Sequence, residues 1–355
     1  MSPSTDRFVF ASSTASETWR PEKDSKAYEW WYFDALSDDG REAIVIVFLD
    51  NFIYSPRYND PARSDDFLRS GPRFPAVSFT YFSDGNVVYS ATSEFAAEHF
   101  RPGPDGSGCR IGESGFRFES ASYGSGYLVS VDLPLARGRR LRANLEWLSI
   151  EADLAPELPG PNIAHCWNMA APRCDVSGKI SVEGPRGRSL DTRSFRGTGY
   201  HDHNLDNRWL AKTVRDWHWG RAHFADSTVV FCRFSEIGAD QPHSRLLLVR
   251  NGELNEFPAL FEEASHARDV HGIRYPKDLK IAAADGIALQ AVPMKVIDSS
   301  FYHLRFLSSI TLRSEGKEHL GTGITEVIAP RALKYRWLNW VSDLRTGRNG
   351  KASRL

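Results

Sequence analysis

The sequence has few cysteines, and they are not grouped along the chain. The four of them show no CxxC motif: Cys109, Cys166, Cys174 and Cys232. This spacing argues against a disulfide framework and favours a reducing compartment. The first 25 residues lack the basic stretch followed by an apolar stretch that marks a secretory signal, and no segment approaches the ~18 apolar residues that span a bilayer. We therefore expect a cytoplasmic protein.

The sequence also lacks an excess of either charge. Lysine and arginine number 44 against 45 aspartates and glutamates, which gives a net charge of -1. Such a balance gives no general attraction to nucleic acid, so we expect no nucleic-acid partner. Any contact with a membrane surface is expected to be transient and to serve the collection of a hydrophobic substrate.

Common catalytic and cofactor motifs are missing as well. The chain contains no GxSxG, no GxGxxG before a helix and no GxxxxGK[ST]. Their absence argues against a nucleophilic serine and against a nucleotide cofactor. The sequence thus predicts no cofactor.

Aromatic residues are abundant, at 12% of the chain with ten tryptophans. A buried tryptophan needs a partner for its indole N–H, so it is costly as plain filler. The abundance therefore indicates a large apolar cavity. The alternative is an ordinary β-sheet core, because aromatic residues also favour strands.

Strand patterns recur along the whole chain. Apolar runs or alternating apolar residues predict strands at 42–49, 76–93, 126–133, 141–147, 227–234, 245–250 and 301–312. Asp84-Gly85 is a strong hairpin signal inside 76–93. Helical spacing is limited to 257–267 and, near the C-terminus, 331–344. The pattern predicts an all-β protein of two antiparallel barrels or sandwiches with few helices.

A proline-rich segment at 155–172 suggests irregular chain between two β units. We accordingly predict a flexible N-terminal arm at 1–25, a β domain at 26–185 and a second β domain at 186–355.

Three clusters combine aromatic and titratable residues. In YEWWYFD (28–34), strand alternation puts Tyr28, Trp30 and Tyr32 on one side and Glu29, Trp31 and Phe33 on the other. The functional interpretation is a cavity wall with one buried acid, and the alternative is a core strand. In AHCWNMAAPR (164–173), His165 and Trp167 point the same way if the chain is extended.

The third cluster spans 196–223. In an extended segment Tyr200, Asp202 and Asn204 share one face, while His201 and His203 share the other. Gly197 and Gly199 are expected to let the backbone bend just before this polar run. Further along this cluster the segment DWHWGRAH (216–223) adds two tryptophans and a basic residue, which are Trp217, Trp219 and Arg221.

Two kinds of chemistry fit these groups. His201 and His203, with His218 or His223 and Asp202, could hold a metal, although a second pair of ligands at regular spacing is missing. The favoured alternative is Brønsted acid catalysis, because aromatic walls can keep a carboxylic acid neutral and ring faces stabilise a carbocation. Asp202 beside Tyr200 fits this chemistry, and the plainer interpretation of Asp202 is a turn or cap residue.

Five segments in this order resemble the carotenoid 1,2-hydratase-like family, also called hydroxyneurosporene synthases or CrtC-like proteins. They are YEWWYFDA, the His-x-Trp and Pro-Arg of 165–173, GTGYHDHN (197–204), DWHWGRAH (216–223) and GTGITEVIAP (321–330). The resemblance implies two lipocalin-like β domains and hydration of a terminal double bond of an acyclic carotenoid without a cofactor. It maps the proton donor to the Tyr-x-Asp of Tyr200 and Asp202, and a supporting His-x-Trp to His165 and Trp167.

We therefore expect an enzyme of the lyase or isomerase type that protonates a C=C bond of a terpenoid or polyene, for hydration or cyclisation. Asp202, Tyr200 and His165 are the predicted catalytic residues. The predicted substrate-binding residues are Trp30, Trp31, Glu29, Trp167, His201, His203, Asn204, Trp217, Trp219 and Arg221. The alternatives are a pericyclic (Diels–Alder-type) cyclase of a polyene, which needs mainly shape and desolvation, and a carrier without chemistry.

Overall fold

The computed structural model describes residues 8–21, 24–63, 72–104, 106–122, 124–155 and 164–353. The chain divides into two compact units, the first comprising 1–209 and 339–355 and the second 210–338. The sequence-based domain division at 185 and 186 stays a prediction about folding units. Both units are built almost entirely from antiparallel strands, which confirms the all-β prediction.

The first unit contains a 13-stranded sheet and a short helix, α1 (Pro56–Ala62). Its strands are β1 (Phe8–Ala11), β2 (Tyr28–Ser37), β3 (Glu42–Leu49), β4 (Ala76–Ser83), β5 (Asn86–Glu94), β6 (Phe100–Pro102), β7 (Cys109–Ile111), β8 (Ser114–Ala121), β9 (Gly124–Leu135), β10 (Arg139–Glu151), β11 (His165–Glu183), β12 (Ser189–Asp206) and β22 (Gly347–Arg348).

The strand order is β22-β5-β4-β3-β2-β12-β11-β10-β9-β8-β7-β6, with β1 parallel to β11. One face of the sheet surrounds a core that includes Trp31, Phe33, Trp147 and Val176. The predicted hairpin is confirmed, since Asp84 and Gly85 join β4 to β5 with φ of 49° and 86°. Positive φ at both turn residues matches the right-handed twist of the paired strands.

The second unit contains a nine-stranded sheet in the order β16-β15-β14-β13-β21-β20-β19-β18-β17. Its strands are β13 (Val214–His223), β14 (Ser227–Glu236), β15 (His243–Arg250), β16 (Glu253–Pro258), β17 (Leu260–Arg268), β18 (Arg274–Ala282), β19 (Ala288–Ser299), β20 (His303–Ser314) and β21 (Lys317–Ile328). Helix α2 (Leu210–Thr213) precedes them. Ala222, Phe231, Leu246 and Ile310 belong to the core of this sheet.

Helix α3 (Arg336–Asp343) confirms the helix predicted near the C-terminus. The helix predicted at 257–267 is wrong, because these residues belong to β16 and β17, the two edge strands of the second sheet. Phe257 and Phe261 pack on the core of that sheet, and this packing outweighs the helix propensity of the glutamates and alanines in the segment. No helix in the described part of the chain has the length and apolar character needed to cross a bilayer.

Two local expectations also change. Residues 8–21 do not form a frayed arm, because β1 pairs with β11 and Glu17 is fully buried; residues 1–7 and 22–23 lie outside the described ranges. The proline-rich segment is irregular only in part, since β11 begins at His165, and residues 156–163 of that prediction also lie outside the description.

Gly197 and Gly199 serve close packing rather than a bend. Strand β12 runs through both positions, and neither residue has a positive φ. A Cβ atom at Gly199 would lie 2.6 Å from the indole nitrogen of Trp147. The missing side chain therefore lets β12 lie directly against the core at the residue that precedes Tyr200.

Candidate functional site

Strand β12 lies between β2 and β11, and its alternating side chains serve two different faces. Tyr200, Asp202 and Asn204 pair with Asp34, Tyr32 and Trp30 of β2, and Asn204 also pairs with Trp167 of β11. We call this side of the three strands the Asp202 face. The opposite side, which carries His201 and His203, is the core face. This alternation is the one that the sequence predicted.

Asp202 is 4% exposed and is surrounded by hydrogen-bond donors. Its Oδ2 accepts hydrogen bonds from the Trp167 indole N–H at 3.0 Å and from the Tyr200 hydroxyl at 2.8 Å. Its Oδ1 accepts one from the Asn204 amide at 2.9 Å. Asp202 is thus a strand residue that three side chains hold in place, and not the turn or cap residue of the plainer interpretation.

Tyr200 is fully buried beside this carboxyl group. Burial raises the pKa of the Tyr200 hydroxyl well above its usual 10, and the charge and hydrogen bond of Asp202 raise it further. The phenol therefore stays protonated at neutral pH. A neutral hydroxyl can donate to a carboxylate or accept from a carboxylic acid, so Tyr200 can bond to Asp202 in both protonation states.

A second tyrosine–carboxylate pair lies next to the first on the same face. The Tyr32 hydroxyl donates to Asp34 Oδ2 at 2.9 Å, and both residues are buried. The rings of Tyr32 and Tyr200 are 6.3 Å apart in an edge arrangement. Sequence reasoning did not assign a role to Tyr32 or Asp34, although strand alternation from Trp30 would have indicated that they share its face.

His165 lies further along the Asp202 face. Its Nδ1 is 3.3 Å from Asp206 Oδ2, its ring stacks on Phe8, and its register partner on β12 is Asp206. Asp206 is four residues beyond Asp202, about 13 Å along the strand. The groups that hold Asp202 are therefore Trp167, Tyr200 and Asn204, and the catalytic role of His165 stays a prediction.

Four predicted substrate-binding residues lie on the core face instead: Glu29, Trp31, His201 and His203. His201 Nε2 forms a short hydrogen bond with Glu17 and its ring stacks on Phe33 at 3.8 Å. His203 Nε2 is 2.7 Å from Glu29 Oε1, and its ring stacks on Trp31 at 4.9 Å. These side chains lie on the side of the sheet opposite to Asp202, and their substrate-binding role stays a prediction.

The two histidines also do not form the alternative metal site with Asp202, because they lie on the opposite side of β12. Among the residues that the structure describes, no group of three or more histidine, cysteine or acidic side chains could hold a metal ion. The partner of His201, Glu17, escaped sequence reasoning because its segment has no strand or helix periodicity.

Trp217, Trp219 and Arg221 belong to the second unit. They alternate along β13 and are all buried, on the side opposite to Ala222, which faces the core of that sheet. Their roles toward the substrate stay predictions. A hollow within this unit touches Trp219, His218 and Phe231 and has room for about one water molecule, which is too little for a polyene.

A buried charge cluster lies on the neighbouring strands β20 and β21 of the second unit. Arg305 forms a short hydrogen bond with Glu326, and His303 Nε2 is 3.6 Å from the same carboxylate. Burial alone would raise the pKa of Glu326, but the nearby guanidinium and imidazole outweigh it and lower the pKa to about 2. Glu326 is therefore a fixed anion and not an acid that donates a proton near neutral pH.

Solved structures with the same fold identify the fold class of the protein. An AttH protein of Nitrosomonas europaea is 16% identical with a TM-score of 0.60, over 85% of this chain and 92% of that chain. Kievitone hydratase from Nectria haematococca is 10% identical with a TM-score of 0.56, over 92% and 97%. The structure of CghA with Sch210972 is 12% identical with a TM-score of 0.54, over 91% of this chain and 97% of that chain. The fold is thus the lipocalin-like, nearly all-β one.

The family follows from the sequence. A model described as carotenoid hydratase CrtC matches residues 146–354, more than half of the chain, and the chain therefore belongs to the carotenoid hydratase CrtC family. By this membership it is an enzyme of the hydratase type, a lyase. The matched residues include Asp202 and the three side chains that bind its carboxyl group.

Two curated relatives illustrate the range of the family. A hydroxyneurosporene dehydrogenase of Chlorobaculum tepidum is 26% identical over 350 residues, 93% of this chain and 89% of that protein. An acyclic carotenoid 1,2-hydratase of Rubrivivax gelatinosus is 25% identical over 204 residues, 57% of this chain and 46% of that protein. The second alignment spans about half the length of that hydratase.

Proposed function

We propose that this protein adds water across a C=C bond of a hydrophobic polyene or terpenoid, with Asp202 as the proton donor and without a cofactor. The relatives named as acyclic carotenoid 1,2-hydratases suggest an acyclic carotenoid as the substrate. The observation that carries the proposal is the surroundings of Asp202, a buried carboxyl group bonded to an indole, a phenol and an amide.

These surroundings act differently on the two forms of the carboxyl group. Burial among rings disfavours the charged form, and we propose that the substrate-bound enzyme holds the neutral acid. When the proton moves to the alkene, a carboxylate forms where Trp167, Tyr200 and Asn204 already point their donors. Preformed donors stabilise the charge as it develops, without reorganisation. The site thus stabilises the transition state of proton transfer more than the resting state.

The carbocation formed by protonation needs electron density that does not bond to it. The ring faces of aromatic side chains provide such density. Trp30, Tyr32 and Trp167 share the face of Asp202 on three adjacent strands. We place the alkene against these rings, with its protonated carbon next to Asp202.

Water completes the reaction. Its oxygen lone pair forms a bond to the cationic carbon, and the resulting oxonium ion returns one proton to the Asp202 carboxylate. The carboxylic acid is regenerated, and the product is a tertiary alcohol that differs from the substrate by one water. We further propose that the substrate is collected during a transient contact with a membrane surface.

The test of the proton donor is Asp202→Asn, which keeps the size of the side chain and removes the acid. We expect turnover of lycopene in detergent micelles to fall by roughly 10²–10⁴-fold, the usual contribution of a general acid. Mass spectrometry would detect the gain of one water, and a reaction in D₂O would leave one deuterium bonded to carbon in the product. The matched control is Asp175→Asn, an exposed aspartate on β11, which should leave turnover unchanged.

The alternatives give other results in the same experiment. A pericyclic cyclase would give a product of unchanged mass without carbon-bound deuterium, and Asp202→Asn would have little effect. A carrier would return the polyene unchanged. Either result with the folded wild-type protein would exclude acid-catalysed hydration of the polyene.

A further inference from the structure

The two ends of the Asn204 side-chain amide differ in their hydrogen bonding on the Asp202 face. Its Nδ2 donates to Asp202 Oδ1 at 2.9 Å. Its Oδ1 is buried and has no hydrogen-bond partner among the residues that the structure describes. The whole side chain is 2% exposed, so bulk water does not satisfy this acceptor. A buried acceptor without a partner costs stability, and such an atom in a native protein calls for a ligand or a functional reason.

The surroundings of this acceptor are aromatic. Asn204 pairs with Trp30 on one neighbouring strand and with Trp167 on the other. The indole N–H of Trp167 is directed to Asp202. The free oxygen of Asn204 is therefore close to the acid and is set between two tryptophan positions, where the proposed cation would be held.

We infer that Asn204 Oδ1 binds the water molecule that attacks the carbocation. The inference rests on the proposed function and names the residue that orients its second reactant. The water donates one O–H to Asn204, which turns an oxygen lone pair toward the cationic carbon. That lone pair forms the C–O bond, and the oxonium proton passes to the carboxylate of Asp202, which Asn204 also contacts.

This arrangement makes Asn204 a positioning residue that decides the fate of the cation. A cation without an oriented water loses a proton from an adjacent carbon and returns an alkene with a shifted double bond. Both outcomes begin with the same protonation, so their ratio reports on the water alone. A role of Asn204 limited to folding, or to holding Asp202, would change both products equally.

The test compares the products of the wild type and Asn204→Leu with lycopene in D₂O. We expect carbon-bound deuterium to keep appearing in the alkene products, and the ratio of alcohol to deuterated alkene to fall about tenfold or more. The control Asn144→Leu changes an exposed asparagine on β10 and should keep the wild-type ratio. Asn204→Ser, which shortens the side chain and withdraws the acceptor, should lower the ratio too and serves if the leucine variant fails to fold.

An unchanged ratio in folded Asn204→Leu or Asn204→Ser, with deuterium still incorporated, would overturn the inference while leaving the acid mechanism in place. An unchanged ratio with a raised KM for lycopene would limit Asn204 to substrate binding and would overturn the inference too. If the wild type itself incorporates no deuterium into carbon, the proposed function fails first. The two failures are therefore distinguishable.

Discussion

Both faces of strand β12 contact buried carboxyl groups, but the side chains that bind these carboxyl groups differ between the faces. On the core face the carboxylates of Glu17 and Glu29 are each bonded to an imidazole, from His201 and His203. On the Asp202 face an indole, a phenol and an amide donate hydrogen bonds to the carboxyl group of Asp202. An imidazole is a base that competes for a proton, whereas these three groups are not bases near neutral pH.

This difference assigns the faces to different tasks. A buried carboxylate that is hydrogen-bonded to a histidine forms a pair whose breaking is costly. A buried carboxyl group among donors can release a proton to a substrate and has its conjugate base stabilised at once. We therefore expect changes on the core face to lower stability and equivalent changes on the Asp202 face to lower turnover.

The largest effect should come from removing a base on the core face. His201→Phe keeps an aromatic ring against Phe33 but leaves the Glu17 carboxylate with the hydrogen bond from Tyr127. We expect a loss of about 3–5 kcal/mol in the free energy of unfolding, as for other broken buried pairs. Urea denaturation followed by circular dichroism would measure it. His99→Phe, at an exposed histidine, should lose little.

A stability of His201→Phe equal to that of the wild type would remove the distinction between the faces. So would a folded His201→Phe protein whose turnover falls as far as that of Asp202→Asn, since the core face would then take part in the chemistry.

A matched pair of substitutions sharpens the comparison. Tyr200 donates to Asp202 at 2.8 Å on one face, and Tyr127 donates to Glu17 at 2.6 Å on the other. Tyr200→Phe should lower kcat about 10- to 100-fold, because one donor to the developing carboxylate is lost. Tyr127→Phe should cost about 2 kcal/mol of stability and leave the kcat of the folded protein near the wild-type value. Equal kcat losses in the two variants would contradict the assignment.

Sequence reasoning found the Asp202 face because strand alternation is local. Tyr200, Asp202 and Asn204 follow one another at a spacing of two, and no knowledge of other strands is needed to place them together. The same rule put His201 and His203 on the other side. Their substrate-binding role stays a prediction, because the sequence alone does not tell which side of a strand will face a core.

The neighbours of β12 could not be found in this way. Trp167 is 35 residues from Asp202, and Glu17 is 184 residues from His201. Pairings over such separations depend on the order of strands in the sheet. The helix predicted at 257–267 failed for a related reason, since an edge strand is held by its partner and by the core and not by its own propensity.

The smallest predicted effect is on the pH dependence of stability, and we expect it to be equal on the two faces. Burial, followed by the adjacent carboxylate, raises the pKa of both Tyr127 and Tyr200 well above 10. A tyrosine whose pKa is higher in the folded than in the unfolded protein binds its proton more tightly when folded. Its contribution to stability is complete below about pH 10 and declines as the pH rises further.

The free energy of unfolding should fall with rising pH above pH 10. Each of the two Tyr→Phe changes should reduce the slope of this fall by up to about 1.4 kcal/mol per pH unit. Urea midpoints at closely spaced alkaline pH values would measure the slope, with Tyr335→Phe as the exposed control. Equal slopes in the two variants, beside unequal effects on kcat, would separate what the faces share from what distinguishes them. Both bury a neutral phenol against a carboxyl group, but on the core face an imidazole also binds that group, whereas on the Asp202 face an indole and an amide bind it.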